Sequence, residues 1–292
     1  MLTECIEGLD IKPNGTYVDV TFGGGGHSQE ILNALNEKGK LFGFDQDAEA
    51  VENALEDNRF KLVEGNFRHL KRYLKFYKGT PVDGILADLG VSSHQFDEGV
   101  RGFSTRFDGR LDMRMNQDSA LSAFDVVNTY AERELMLILR LYGEVPRPHL
   151  VAKAIVNARL GKEIETTEEL KSHLLSLAPK FKENKFFAMV FQAIRIEVND
   201  ELTALKEMLL QAIEILKPGG RLVVMSYHSL EDRLVKNLFN KGKFDGEIEK
   251  DFFGNHLNAL KVITRKPVSP TDEECERNNR ARSAKLRIAE KI

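Results

Sequence analysis

Four consecutive glycines, Gly23–Gly26, constrain this chain more than any other feature. They follow Tyr17-Val18-Asp19-Val20-Thr21-Phe22, a β-branched and aromatic run that suits a strand. Ile31, Leu32 and Leu35 come next at helical spacing, so the unit reads as strand, tight turn, helix. Glycine is entropically expensive, and four in a row imply a use. Such a turn lets backbone N–H groups approach a ligand at a helix N-terminus, where the dipole favours polar or anionic groups. A second apolar run, Lys40–Phe44, ends in Asp45, 22 residues after Gly23. A carboxylate there is placed to accept hydrogen bonds from a ribose diol. It could also cap the helix that follows. The turn points to a nucleoside-containing cofactor.

The alternation continues: strand 16–22, helix 28–38, strand 40–45, helix 47–57, strand 60–65, helix 68–77, strand 83–89. This pattern predicts an α/β fold with a parallel sheet and helices on both faces. Ligands of such sheets sit beyond the carboxyl ends of the strands. Those ends carry Gly23–His27, Asp45, Asn66-Phe67 and Asp88-Leu89-Gly90. After Gly90 the alternation stops. The next clear strand is Arg221–Ser226, preceded by Leu216-Lys217-Pro218-Gly219-Gly220 and by a helix with Leu202, Leu205, Met208, Leu209, Ala212 and Ile213 on one face. A crossover needs one helix, so residues 101–198 are surplus and read as helical: 119–141, 147–160, one opened by a capping signal at Thr166–Glu169, and 183–198. The expected organisation is a nucleoside-binding domain over 1–100 and 199–292, with an inserted helical, substrate-binding domain over 101–198. A helix at 230–240, a strand at 260–266 and a last strand at 284–289 complete it.

Composition excludes several classes. A net charge of −3 is not that of a protein that coats nucleic acid, though residues 276–292 place six basic side chains (Arg277, Arg280, Arg282, Lys285, Arg287, Lys291) against two acids. Arg101, Arg106, Arg110 and Arg114 form a second candidate patch. Cys5 and Cys275 are far apart with no ligand spacing, so neither a disulfide framework nor a metal site is expected. The acidic N-terminus does not read as a signal peptide, and no apolar run approaches the roughly 20 residues that span a bilayer. The expected setting is the cytoplasm.

The dinucleotide fingerprint G-x-G-x-x-G fails, because its third glycine falls on Ser28 or Gln29. The pattern present, Asp19-x-x-x-Gly23-x-Gly25 with an acid ending the second strand, is similar to motif I of class I S-adenosylmethionine-dependent methyltransferases. Leu216–Leu222 resembles the turn before their fifth strand. The resemblance extends further. Asp88-Leu89-Gly90-Val91-Ser92-Ser93-His94-Gln95, Arg101–Ser104, Leu111–Met115, Phe191–Ile196, Ser226–Arg233 and Arg280–Arg287 resemble strings of the bacterial 16S rRNA cytosine-N4-methyltransferases (RsmH/MraW type), covering nearly the whole chain. The chain departs from that pattern at Asn279, where the family has proline, and at Gly143–His149, where a Ser-Arg-Arg is altered. The family's usual His-containing opening segment, which would precede Met1-Leu2, is not in the sequence.

The resemblance implies a Rossmann-like methyltransferase sheet with an inserted helical domain, S-adenosyl-L-methionine as cofactor, and a cytosine of the 16S rRNA decoding region in the small ribosomal subunit as target. It carries cofactor contacts onto Gly25, Gly26, His27, Asp45, Phe67, Asp88 and Gln95. The exocyclic amine of cytosine is a weak nucleophile, so a hydrogen-bond acceptor and a proton acceptor are needed. Asp88 could bond either the cofactor or this amine. Tyr227 and His228, ending the fifth strand, are the other catalytic candidates, though His228 reads equally as a structural histidine. A paired amine is inaccessible, so the RNA must be single-stranded or splayed out. Amino methyltransferases of DNA carry a Pro-Pro-aromatic tetrad where this chain has Asp88–Val91, which argues against DNA. Two rival readings remain open: a methyltransferase for protein or small molecules, and a non-catalytic ribosome-assembly factor. Oligomeric state is also open, a homodimer included.

Overall fold

The computed structural model describes residues 1–92, 99–248, 252–254 and 257–292. The chain divides into two compact units, Met1–Gly90 with Leu202–Ile292, and Val91–Glu201. The sequence pattern alone puts these boundaries at 100/101 and 198/199.

The first unit begins with α1 (Leu2–Leu9), β1 (Thr16–Asp19), α2 (Gly26–Ala34), β2 (Lys40–Asp45), β3 (Phe60–Glu64), α3 (Leu70–Phe76) and β4 (Val82–Asp88). The second unit holds α4 (Ala123–Thr129), α5 (Glu132–Leu141), α6 (Pro148–Arg159), α7 (Thr167–Leu174) and α8 (Glu183–Asn199). The chain then returns through α9 (Glu201–Ile215), β5 (Leu216–Ser226), α10 (Ser229–Lys241), β6 (Leu260–Val262), α11 (Asp272–Arg277) and β7 (Lys285–Lys291).

The sheet order is β3-β2-β1-β4-β5-β7-β6. The first five strands are parallel, and β7 runs antiparallel between β5 and β6. Successive side chains of a strand point to opposite faces, and the core divides accordingly. Val18, Ile85, Ala87, Leu222 and Val224 join α3, α9 and α10 on one face. Tyr17, Leu86, Val223, Met225, Leu286 and Ile288 join α1 and α2 on the other. The strand order reverses between β1 and β4, and ligands of such sheets sit beyond the carboxyl ends of the strands at that switch point.

Lys217, in the turn that opens β5, acts at the opposite end of the sheet. Its Nζ lies 2.6 Å from Asp83 Oδ2, which also accepts from Thr16 N at 2.8 Å. Burial alone would raise the Asp83 carboxyl, but Lys217 outweighs it and holds the group below the usual range. The Lys-Pro-Gly-Gly turn therefore braces β1, β4 and β5.

The second unit packs its helices around Leu135, Leu139, Ile155, Phe186, Val190, Phe191 and Ile194. The capping box at Thr166 and Glu169 is present, and a second forms at Ser122 and Asp125.

Three elements depart from the sequence pattern. The helix predicted over 119–141 is two helices, split where Tyr130 and Ala131 are extended. Arg159 accounts for the break, donating to the carbonyls of Val127 and Tyr130 at 2.7 and 2.6 Å. The helix predicted over 47–57 is only a 3₁₀ turn, Ala48–Asn53, because it buries Ala50 alone and lacks an apolar stripe. The strand predicted over 260–266 ends at Val262, where the amides of Ile263 and Thr264 both turn to the Ile288 carbonyl and break register.

Candidate active site

The glycine turn forms because the chain must reverse directly at the end of β1. Gly23 and Gly25 hold φ of +52° and +75°, a region costly for other residues. Gly25 caps α2, whose first-turn amides have no helical partner. A side chain at Gly25 would strike the Phe22 ring 3.1 Å away. At Gly24 and Gly26 a Cβ would meet nothing within 4 Å. These two glycines therefore border open space, a cradle that side chains would fill.

Two carboxylates, Asp19 buried and Asp45 half-buried, shape the turn. Asp19 accepts from Ser28 Oγ at 2.8 Å and from Thr21 N at 3.1 Å, tying β1 to the first turn of α2. Asp45 accepts from Gly23 N at 2.8 Å with one oxygen and from Asp47 N at 2.9 Å with the other. Asp45 thus braces the glycine turn as well as the segment after β2, a role the sequence pattern does not reveal. Burial pushes both carboxyls up from their ordinary range. Asp45 is half-buried, so its remaining lone pairs stay accessible.

Asp88 ends β4 at the switch point. Its backbone N–H donates to Thr21 Oγ1 at 2.7 Å, which fixes it against β1. Tyr227 Oη donates to Asp88 Oδ1 at 2.9 Å. His27 Nδ1 stands 3.8 Å from Oδ2, and His27 Nε2 is buried without a hydrogen-bond partner. Burial pushes the Asp88 carboxyl up to about 6, against the lowering by His27 and by the Tyr227 hydrogen bond. Burial and the same carboxylate push the Tyr227 hydroxyl up, so it remains a donor. The structure therefore gathers Asp88, Tyr227 and His27, with Asp45 and Gly23–Gly26 on the adjoining strand ends.

The other sequence-derived candidates are placed as follows. Phe67 is half-buried in a 3₁₀ turn after β3, where Asn66 accepts from Arg68 N and donates to Gln46. His228 caps α10: its ring nitrogen lies 3.5 Å from Glu231 N, and its backbone N–H donates to Glu231 at 3.4 Å. Its other ring nitrogen, Nε2, is buried without a hydrogen-bond partner, 3.3 Å from a Glu231 carboxylate oxygen. Gln95 lies outside the described residues. Thr21 is the positioning group that sequence reading missed. A hydroxyl two residues past Asp19, next to the turn, was the available signal.

The basic patches change character. Arg287 is buried and grips Asp232 with two nitrogens, at 2.7 and 3.2 Å. Lys285 also reaches Asp232 at 3.4 Å, and Arg277 pairs with Glu274 at 3.0 Å. In the second unit, Arg101 is buried and donates to the Arg114 carbonyl, while Arg114 pairs with Asp112 at 2.7 Å. Arg287 and Arg101 are thus internal, while Arg277, Arg280, Arg282, Arg106 and Arg110 stay exposed.

A parallel sheet with an antiparallel seventh strand beside the fifth, a glycine turn after β1 and an acid ending β2 together define a class I S-adenosylmethionine-dependent methyltransferase. Among the described residues no helix is long and apolar enough to cross a membrane. The whole chain, residues 1–292, matches the MraW methylase family and belongs to it. It is 58% identical over 292 residues to the ribosomal RNA small subunit methyltransferase H of Flavobacterium johnsoniae, covering 100% of this chain and 96% of that protein. The protein of the same name in Flavobacterium psychrophilum is 57% identical over 291 residues, with 100% of both chains covered. That of Bacteroides thetaiotaomicron is 54% identical over 291 residues, covering 100% of this chain and 96% of its own length.

Proposed function

We propose that this protein transfers a methyl group from S-adenosylmethionine to the exocyclic N4 amine of a cytosine in the 16S rRNA of the small ribosomal subunit. Family membership over the full length supports the activity. The observation that carries the chemistry is a half-buried, hydrogen-bond-oriented Asp88 beside an open glycine cradle.

The residues present fit the cofactor. Gly24 and Gly26 leave space, the α2 amides offer donors, Asp45 offers acceptor lone pairs for a ribose diol, and Phe67 offers an aromatic face for a purine. Gly25 and His27 complete that turn, His27 with a buried nitrogen still to be paired. The cofactor supplies an electrophilic methyl on a sulfonium, so the protein contributes orientation and electrostatics.

Asp88 is the acceptor for the amine. As a carboxylate it takes a hydrogen bond from an N4 hydrogen, which localises the nitrogen lone pair towards the incoming methyl. Once the N–CH₃ bond forms, the nitrogen is cationic and the proton passes to Asp88. A carboxyl at about 6 is half-prepared for this at neutral pH: ionised before transfer, yet more basic than an ordinary aspartate. Tyr227 holds one oxygen in place, leaving the other for substrate. The helical second unit, Val91–Glu201, is assigned to RNA binding, and the cytoplasm is the setting where ribosomal substrate is met.

Radiolabelled cofactor with small-subunit rRNA from a strain lacking this gene tests the reading. Label on N4-methylcytosine is the expected outcome. Label on another nucleoside, or on protein, would point to a methyltransferase of different specificity. Binding without transfer would indicate an assembly factor.

A further inference from the structure

The turn that leads into α8 carries an aromatic side chain in an unusual position. Phe181 is 97% exposed and holds φ of +65°. A single exposed apolar residue is ordinary on a protein surface. A bulky aromatic in the left-handed region is not, because its Cβ crowds the following carbonyl. The strain persists because the Phe181 amide donates to Glu183 Oε1 at 3.0 Å, so the acid at the helix start locks the turn. The backbone is thus held in a form that leaves the ring fully in water, where its burial gains nothing for this fold.

The surroundings are cationic. Lys180 and Lys182 flank Phe181 in the chain, and Lys185 follows on the first turn of α8, all three exposed. None of the three forms an ion pair among the described residues, while Lys162 and Lys171 nearby in sequence are paired with Glu169 and Glu168. Arg147 approaches from the start of α6, donating to the Leu177 carbonyl at 3.4 Å. Glu183 is the one acid in 179–185, and its oxygen is already occupied by a backbone N–H. An exposed aromatic face set among unpaired lysines, in a chain of net charge −3, is the arrangement that binds single-stranded nucleic acid. Bases stack on the ring and phosphates meet the ammonium groups.

We infer that Phe181, with Lys180, Lys182 and Lys185, is a stacking site for an unpaired base of the RNA substrate. This rests on the reading of the protein as an rRNA methyltransferase and names the surface of the second unit that grips the RNA. A protein partner is the alternative occupant, and the charge pattern favours the polyanion.

Two measurements separate this site from the proposed activity. The first is fluorescence anisotropy with a labelled ten-nucleotide single-stranded oligouridylate, which needs no methyl transfer. The second is KM for unmodified small-subunit rRNA in the transfer assay. Phe181→Ala weakens oligonucleotide binding and raises the rRNA KM about tenfold, the stacking of one base, while cofactor affinity is unmoved. Phe181→Trp restores both. Phe181→Gly relieves the positive φ, so its melting temperature equals or exceeds that of the parent while RNA affinity still falls. Replacing the three lysines by alanine flattens the slope of log K against log salt by about 0.7 for each phosphate no longer neutralised. If the parent binds the oligonucleotide through Phe181 but methylates no rRNA, the stacking site stands and the activity assignment falls. If the parent methylates rRNA and Phe181→Ala leaves both affinities within twofold, the stacking site is wrong. Loss of binding to assembled particles alone, with naked RNA unaffected, would assign the ring to a ribosomal protein and overturn the proposal.

Discussion

Asp88 in the first unit and Asp112 in the second are both aspartates in strings that the sequence marks out, yet their surroundings drive them in opposite directions. Asp112 is taken up by Arg114, whose guanidinium contacts both carboxylate oxygens. Burial alone would raise it, but this pairing holds it below the ordinary range. Among the described residues, Asp88 has no lysine or arginine in bonding contact. A tyrosine hydroxyl and a histidine at 3.8 Å offset its burial only in part, and it rises to about 6. The same division runs through the two units. In the helical unit, Tyr130 donates to Glu197, Arg195 grips Glu201, and Asp125 and Glu169 serve capping boxes. At the strand ends of the first unit, Asp45 and Asp88 keep accessible lone pairs. A charge already matched by the fold builds structure; one left partly unmatched at a crevice is available for chemistry.

Exchanging these side chains tests the contrast. The largest effect belongs to Asp88→Asn, which keeps the hydrogen bond to Tyr227 but removes the proton acceptor. Single-turnover transfer should fall about 10³-fold with cofactor binding retained. Asp112→Asn should leave transfer unchanged once the protein is folded. Gly26→Val comes next. Its side chain enters the space the cofactor needs, so cofactor affinity measured by calorimetry should drop about 10- to 100-fold while the melting temperature stays near that of the parent. Tyr227→Phe should lower the transfer rate about tenfold. It removes a hydrogen bond that lowers the Asp88 pKa, so the acidic limb of the rate profile moves to higher pH. The smallest effect is on stability: Asp112→Asn should cost about 1 kcal/mol in chemical denaturation, because the pair is about a quarter exposed.

The two acids should also bend the stability curve in opposite senses. Asp88 has a folded value of about 6 against 3.8 for the free side chain, so its contribution to stability is complete below the lower value and is lost as pH rises through the higher one. Asp112 is depressed below 3.8, so its contribution is present above that pH and is lost as pH falls.

The fold's first half was readable because period-two apolar strands, glycine turns and helical spacing are local signals. Gly23–Gly26 with Asp45 identified a nucleoside cofactor from spacing alone, and the strings from Asp88 onward carried the acceptor. What sequence order could not reveal were contacts between distant segments. Asp45 reaching back to Gly23 and Thr21 receiving the Asp88 amide require the parallel register of β2, β1 and β4. The same applies to Arg287, counted as a basic side chain for RNA until β7 placed it beside Asp232 on α10. Arg159 splitting the helix at Tyr130 is a tertiary interaction across 29 residues. His228 shows the reverse: its N-cap position was readable from the Glu231 three residues on, a signal weaker than its place at a strand end.

The central claim is that Asp88 must be ionised for transfer. The pH dependence of kcat/KM for the cofactor tests it most directly, because that quantity reports the free enzyme. The rate should rise with pH along a single-proton limb with an apparent pKa of about 6, absent from the residual activity of Asp88→Asn. A flat profile from about pH 5 to 8 in the folded parent enzyme, where a group titrating near 6 would change its ionisation, would contradict it.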